Sequence, residues 1–225
     1  MGKTYFVSGI DTDCGKTIAT GLIAKFFHEQ GVRIITQKLT QTGCSGISED
    51  IESHRKLMGI PLLPEDKNGL TCPYVLKHPA SPHLAAAIDH VDIDINRITD
   101  ATAKLERLFD VVILEGAGGL FVPIKPDYLI IDHITKMDYP LILVTSAKVG
   151  SINHTLMSLE LCKKYGVKVQ AVIYNHFPNS DELIIADSRS IFEKYLDENF
   201  PNTPLFEIPK AEDLNFSLIK FEGIF

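Results

Sequence analysis

Short apolar runs alternate along the chain with longer stretches whose apolar positions recur at helical spacing. The runs Tyr5–Ser8, Arg33–Lys38, Val111–Glu115, Leu141–Thr145, Lys168–Tyr174 and Leu205–Ile208 read as strands. Between them the periodicity predicts helices near 16–29, 49–58, 94–108, 151–165 and 181–196. The last of these rests on Ile184, Ile185, Ser188, Ile191, Phe192 and Tyr195. Strand and helix in alternation is the pattern of βαβ units, and the runs VVIL and LILV are apolar on both faces, as strands covered on both sides must be. The expected fold is therefore α/β: one domain over 1–225, with a mainly parallel sheet flanked by helices on both faces. The segment Gly69–Pro82, with Pro73, Pro79 and Pro82, reads as an irregular loop long enough to be functional. After Pro209 no clear period remains, and no element is predicted there.

Composition narrows the class of partner. With 225 residues, 45% of them hydrophobic, the chain can bury one large core. Its 22 basic and 29 acidic residues give a net charge of −7, and no cluster of Lys and Arg marks a nucleic-acid surface, although a few well-placed cations could still hold a small anion. Cys14, Cys44, Cys72 and Cys162 show neither C-x-x-C pairing nor metal-ligand spacing, and are read as reduced thiols. The first residues lack a leader pattern and no apolar run approaches the ~20 residues of a membrane span, so the expectation is a soluble, cytoplasmic protein without a membrane partner. The eight histidines offer no H-E-x-x-H set, which disfavours a histidine-built metalloenzyme; His83 and His154 read as structural or loop-ordering residues.

The chemistry concentrates at strand ends. Tyr5–Ser8 leads into GIDTDCGKT, Gly9 to Thr17, and then into a helix near Lys16. Glycines let such a loop bend so that successive N–H groups face an anion, Lys16 would neutralise β- and γ-phosphates, and the Thr17 hydroxyl would ligate Mg²⁺. The generic P-loop pattern puts its first glycine where this chain has Ile10; here the glycine stands one residue earlier. A tight turn that merely contains Gly-Lys-Thr is the blander reading, but the strand before and the helix after favour the cradle. Ligands of parallel sheets bind at carboxyl ends of neighbouring strands. Glu115, followed by GAGG, could hold Mg²⁺ directly or through water, against the alternative of a solvated carboxylate ending a strand. Lys38, with Thr42 and Gly43 close behind, would bring a second ammonium group, although alone it would more often be a solvated strand-end lysine. Asp50 at a helix start is a weaker metal candidate, since such acids commonly complement the helix dipole.

Taken together these segments resemble the dethiobiotin synthetase family. The matching pieces are GIDTDCGKT, Lys38 with Thr42-Gly43, EGAGG at Glu115–Gly119, and KVGSINH at Lys148–His154. Pro73-Tyr74 and Ser81-Pro82-His83 fit as well, with Cys72 in place of the usual Asn, and the likeness spans residues 4 to 209. The resemblance implies a single P-loop NTPase domain over 1–225 that acts as an ATP- and Mg²⁺-dependent ligase of biotin biosynthesis. Such an enzyme joins CO₂ to 7,8-diaminopelargonate and closes dethiobiotin's ureido ring through a carbamate and a carbamic-phosphoric anhydride, releasing ADP and phosphate. It further implies Lys16, Lys38 and Thr12 as catalytic residues, Thr17, Asp50 and Glu115 as the Mg²⁺ set, and Thr42 at the diamine. Gly150, Ser151, Ile152 and Asn153 of the other subunit of a homodimer would hold the diamine's carboxylate. Nucleotide contacts would come from Asp13, Cys14, Gly15, Lys16, Thr17, Ile18, Glu115, Gly118, Asn175 and Pro209. Among these, Asn175 would meet the purine, the segment KAEDLNFSLIKF would close over it, and nucleoside triphosphates other than ATP stay open. Asp13 stands where many members have Glu. Without the resemblance, GSINH could be an ordinary helix start capped by Ser151 or Asn153. Two relatives compete. A partitioning or division-site ATPase switch carries an extra lysine early in the loop, where this chain has Asp11. A cobyrinic acid amide synthase needs a glutamine-hydrolysing domain, for which 225 residues leave no room.

Overall fold

A computed structural model describes residues 1–178, 181–210 and 219–225. The chain forms β1 (Lys3–Gly9), α1 (Lys16–Glu29), β2 (Ile34–Lys38), β3 (Gln41–Thr42), α2 (Glu49–Met58), α3 (Pro64–Lys67), β4 (Val75–Leu76), α4 (Pro82–Ile88) and α5 (Ile95–Leu108). It continues with β5 (Val111–Gly119), β6 (Pro123–Lys125), β7 (Tyr128–Leu129), α6 (Ile130–Met137), β8 (Leu141–Ser146), α7 (Ser151–Tyr165), β9 (Val169–Asn175), α8 (Glu182–Asn199) and β10 (Leu205–Ile208). Six strands make the main sheet in the order β10-β9-β8-β1-β5-β2, and every pairing in it is parallel.

Alternation along these strands feeds two cores. Phe6, Leu114, Leu143 and Val172 face the side covered by α4 to α7, where Ala85, Ile98, Ile134 and Leu159 meet them. Tyr5, Val7, Ile113, Ile142 and Val144 face the other side, against Leu22 and Ile23 of α1. Because both faces are apolar, the strand signal in the sequence is a solid run rather than an alternation. The stretch after Pro209, for which no element is predicted, returns at its end to this second core. Ile219, Phe221 and Ile224 are buried there without helix or strand, Phe225 packs on Tyr5, and Gln170 Nε2 donates to the Ile224 carbonyl at 2.9 Å. Residues 211–218, most of the segment expected to close over the base, lie outside the described residues.

Six strands and five helices expected from the pattern are present, with ends displaced by up to three residues at α8, where fraying makes boundaries soft. The larger difference is at β5, which runs on through EGAGG to Gly119 instead of turning after Glu115. Its glycines serve close approach: a Cβ on Gly116 would lie 2.8 Å from the Phe6 ring, and Gly119 pairs with Gly9 across a β-bulge. The short α3, α4 and α6, and the ladders β3–β4 and β6–β7, are too brief to leave a periodic signal. Among the described residues, no helix is long and apolar enough to cross a membrane.

One core residue makes stability depend on acid. His133 of α6 is fully buried among the rings of Phe6, Tyr128 and Tyr139, and among the described residues its Nε2 has no hydrogen-bond partner. Burial, aided by Lys136, pushes its pKa down to about 4. The unfolded chain therefore takes up a proton below ~6.5 that the fold refuses, so stability falls as pH drops from there toward the folded value. His133→Phe should keep the ring packing and flatten this slope. In urea unfolding, the wild type is expected to lose about 2 kcal/mol more than the variant between pH 7 and 4.5; parallel losses would refute the assignment.

Candidate active site

The loop after β1 is organised by glycines at two contacts. A Cβ on Gly9 would stand 2.4 Å from Cys14 Sγ and 3.0 Å from Lys16 Nζ, so glycine is needed at this position, while Ile10 packs into the core and donates its N–H to the Val144 carbonyl. Gly15 sits at φ 98° at the start of α1, and a Cβ there would come within 2.1 Å of Asn175 Nδ2. Asn175 ends β9 and donates Nδ2 to the Cys14 carbonyl at 3.1 Å, tying the loop to the sheet. Helix α1 has neither a side-chain cap nor an acid in its first turn, so its free N–H groups and positive dipole end are left for an anion. Lys16, 8% exposed, turns its ammonium onto the Asp11 carbonyl at 2.9 Å, beside the cradle. Thr12 is exposed on the same loop, its N–H on Asp11 Oδ1, and Asp13 holds a positive φ of 58°.

The charges are set by strand register. Lys38 on β2 and Glu115 on β5 are direct partners in the parallel ladder, so their side chains leave the sheet on one side. Lys38 Nζ reaches Glu115 Oε1 at 2.7 Å and also pairs with Asp50 Oδ2 from the first turn of α2. Thr17 Oγ1 lies 3.1 Å from both Asp50 Oδ1 and Glu115 Oε1. Neither Lys38 nor Glu115 is a solvated strand end, since they are 5% and 0% exposed. Burial alone would push the Glu115 carboxyl up, but the Lys38 ammonium and His54 overcome it and hold its pKa well below the ordinary range. Burial likewise works against the Lys38 ammonium, yet Glu115 and Asp50 outweigh it and raise its pKa above the usual lysine value.

Two carboxylates and a hydroxyl converging beside a phosphate cradle form a hard, all-oxygen donor set. That suits Mg²⁺, which keeps several waters and phosphate oxygens among its ligands. Among the described residues no group of three or more His, Cys, Asp or Glu side chains forms a metal cage. The other oxygen of Glu115, Oε2, faces His54 Nε2 at 2.9 Å, a contact absent from the expectations above. Its only sequence signal is spacing, because Asp50 and His54 are one helical turn apart on α2.

A cleft of about 1080 Å³ gathers most of the expected residues. Thr12, Asp13, Gly15, Lys16, Thr17, Ile18, Lys38, Thr42, Asp50, Glu115, Gly118, Asn175 and Pro209 all line it, and Pro79–Pro82 from the proline-rich segment forms a wall. Cys14 instead borders a neighbouring cavity of about 210 Å³, together with Ser151, Lys148 and His154. Gly150, Ser151, Ile152 and Asn153 do not line the large cleft. Gly150, at φ 97°, starts α7 without a side-chain cap, so neither Ser151 nor Asn153 acts as one; Ser151 Oγ bonds Ser146 Oγ at 3.0 Å. Helices α2, α5 and α8, by contrast, are capped by Ser48, Asp94 and Asp181.

The sequence profile of the AAA domain family matches residues 3–216. The ATP-dependent dethiobiotin synthetase BioD 2 of Haemophilus ducreyi is 52% identical over 203 residues, covering 90% of this chain and 96% of that protein. The ATP-dependent dethiobiotin synthetase BioD of Chlorobaculum tepidum is 48% identical over 208 residues, covering 92% and 87%. That of Halalkalibacterium halodurans is 32% identical over 215 residues, covering 95% and 87%. Among solved structures, the signal recognition particle receptor FtsY from Elizabethkingia anophelis in complex with GDP aligns over 100% of this chain with a TM-score of 0.55 and 15% identity. This chain spans 62% of that receptor's length, and the likeness bears on the fold alone.

Lys38→Met leaves Glu115 and Asp50 facing each other without their shared cation. In the wild type, the depressed Glu115 pKa contributes stability above its unfolded value, lost only as pH falls through the folded one. In the variant, burial acts with less opposition and raises that pKa, so the deficit is largest at high pH. Urea unfolding should show a loss of about 3–5 kcal/mol at pH 8 that shrinks toward pH 5; a loss that did not change with pH would contradict the pairing.

Proposed function

The chain belongs to the dethiobiotin synthetase family, and from that membership we propose that it is an ATP-dependent ligase of biotin biosynthesis. It joins CO₂ to 7,8-diaminopelargonate and closes the ureido ring of dethiobiotin, with release of ADP and phosphate. The observation that carries this reading is the convergence of Lys16, Lys38, Thr17, Asp50 and Glu115 in one cleft at the carboxyl ends of β1, β2 and β5.

One amine of the substrate attacks CO₂, forming an N–C bond and losing a proton to solvent. A carbamate oxygen then attacks the γ-phosphorus, the bond from that phosphorus to the bridging oxygen breaks, and ADP departs. The second amine attacks the carbamoyl carbon, phosphate leaves, and the ring closes with loss of a second proton. Negative charge gathers at the phosphoryl group throughout, and positioned cations and N–H donors stabilise it without a covalent nucleophile. The raised pKa of Lys38 keeps it an ammonium, so it acts as a fixed charge and not as a base. Lys16 shares this task across the phosphates, and Thr12 stands at the loop beside the reacting groups. Thr17, Asp50 and Glu115 would hold a Mg²⁺ ion, which neutralises phosphate oxygens when bound. Thr42 lines the same cleft, which supports placing the diamine there; Asn175 and Pro209 border it, which supports placing the base at that end.

The working unit is a homodimer in this reading, with the chain acting as one P-loop domain. Gly150–Asn153 do not line the large cleft, and the uncapped start of α7 suits the carboxylate of a diamine bound in the partner's cleft. Val149 and Met157 on the same segment are 80% and 58% exposed, as an apolar contact between copies would require. Four free, buried cysteines support a reducing compartment, the cytoplasm.

Purified protein given Mg-ATP, bicarbonate and 7,8-diaminopelargonate should release phosphate and form dethiobiotin, both only when the diamine is present. Release without the diamine would instead indicate an ATPase switch. Lys16→Ala and Lys38→Ala should each abolish turnover. Val149→Glu is expected to shift sedimentation from dimer to monomer and to depress synthesis with it; an active monomer would end the shared-site reading.

A further inference from the structure

Behind the carboxylate at the reacting end of the cleft lies a line of buried polar side chains that the reaction above leaves unused. Glu115 Oε2 meets His54 Nε2 at 2.9 Å, His54 Nδ1 meets Thr36 Oγ1 at 3.0 Å, and Arg55 Nη1 meets the same hydroxyl at 2.8 Å. Arg55 is clamped in turn by Asp66, through Nε and Nη2 at 2.9 Å each. Asp66 also accepts from Thr71 Oγ1 and from the Leu63 N–H, both at 2.8 Å. Glu115, His54 and Thr36 are 0% exposed, Arg55 2% and Asp66 4%.

The chemistry of the two ends fixes the direction of the whole line. A guanidinium can only donate and an ionised carboxylate can only accept. Thr36 Oγ1 therefore accepts from Arg55, and its single proton goes to His54 Nδ1. His54 must then carry its own proton on Nε2 and donate it to Glu115 Oε2. Every donor and acceptor in the line is satisfied in this one arrangement, and reversing any bond strands a buried group.

We propose that the line Arg55–Thr36–His54 is a positioning relay that locks the Glu115 carboxylate through Oε2, so that Oε1 is held toward Thr17 and Asp50 for the divalent ion. The proposal rests on reading Thr17, Asp50 and Glu115 as the Mg²⁺ set. His54 does not line the cleft; it acts by removing the rotational freedom of Glu115 before the ion arrives. Thr36 and Lys38 lie two residues apart on β2, and so on one face of the sheet. The same strand thereby carries both the cation on one carboxylate oxygen and the hydroxyl that orients the holder of the other.

The test is Mn²⁺ binding to the full chain with ADP present, followed by the loss of the free-ion electron paramagnetic resonance signal. It compares the wild type with Glu115→Gln, His54→Leu, His54→Gln and Thr36→Val. Glu115→Gln reports on the underlying assignment: if it binds Mn²⁺ as the wild type does, the metal reading itself fails. With that control weakened, His54→Leu should raise the Mn²⁺ dissociation constant about 10- to 100-fold, and Thr36→Val should raise it in the same direction. His54→Gln, whose amide can reach the position of Nε2 and donate to Glu115, should recover most of the affinity. ADP affinity in EDTA should be the same in the wild type and both His54 variants. Wild-type Mn²⁺ affinity in folded His54→Leu or Thr36→Val, or a His54→Gln no better than His54→Leu, would overturn the relay.

Discussion

Lys38 and Glu115 are buried side by side in a parallel ladder, and a buried ion pair of this kind dictates what surrounds it. Desolvating two charges costs several kcal/mol per ion unless the remaining lone pairs and protons find partners. Here the partners arrive from separate elements: Asp50 and His54 from α2, Thr17 from α1. Helix α2 must then be anchored closely, and it is. Ser48 caps it by accepting from the Ile51 N–H at 3.3 Å while donating to Gln41 Oε1 at 2.7 Å, which fixes the helix start to the chain leaving β2. The electrostatic demand of one pair thus explains the cap, the position of the helix and the polar lining of an otherwise apolar face.

Glycine joins this charged centre to the phosphate loop. The pairing of Gly9 with Gly119 lets the ends of β1 and β5 run together past a bulge, so the loop and the carboxylate share one rigid frame. Asn175 adds a strut from β9 to the loop carbonyl at Cys14. Phosphoryl transfer is accelerated mainly by donors and charges already in place when charge develops, and side chains set on strands hold such places more firmly than side chains on free loops. The close backbone contacts therefore belong to the chemistry as much as to the fold.

The sheet and its main helices were legible because both faces of the strands are apolar and the helices carry their own spacing. The continuation of β5 was not, since GAGG reads as a turn by the same lack of a Cβ that permits the strand to press against Gly9 and Phe6. Lys38 could be placed only through topology, and its partner through the order of strands. His54 and Arg55 were hidden for a different reason. Neighbours on a helix do not share a face, yet both are buried, one against Glu115 and one against Asp66, within a helix whose composition reads as solvated. The tail residues Ile219, Phe221 and Ile224 fill a core without any period, so no window over the sequence marks them.

The buried pair also limits what can titrate during turnover. Glu115 is held below the ordinary carboxylate range and Lys38 above the ordinary lysine range, so neither changes charge near neutrality. Thr17 and Thr12 do not ionise there either. The substrate's own amines must change protonation, since each has to be neutral to attack, one CO₂ and the other the anhydride. Those amines bring an acid dependence of their own, while the charges of Lys38 and Glu115 stay constant across the same window. An enzyme arranged in this way needs no general base of perturbed pKa, and its residues are selected for fixed charge and fixed place. That is the physical sense of spending four buried polar side chains, His54, Thr36, Arg55 and Asp66, on holding a single carboxylate still.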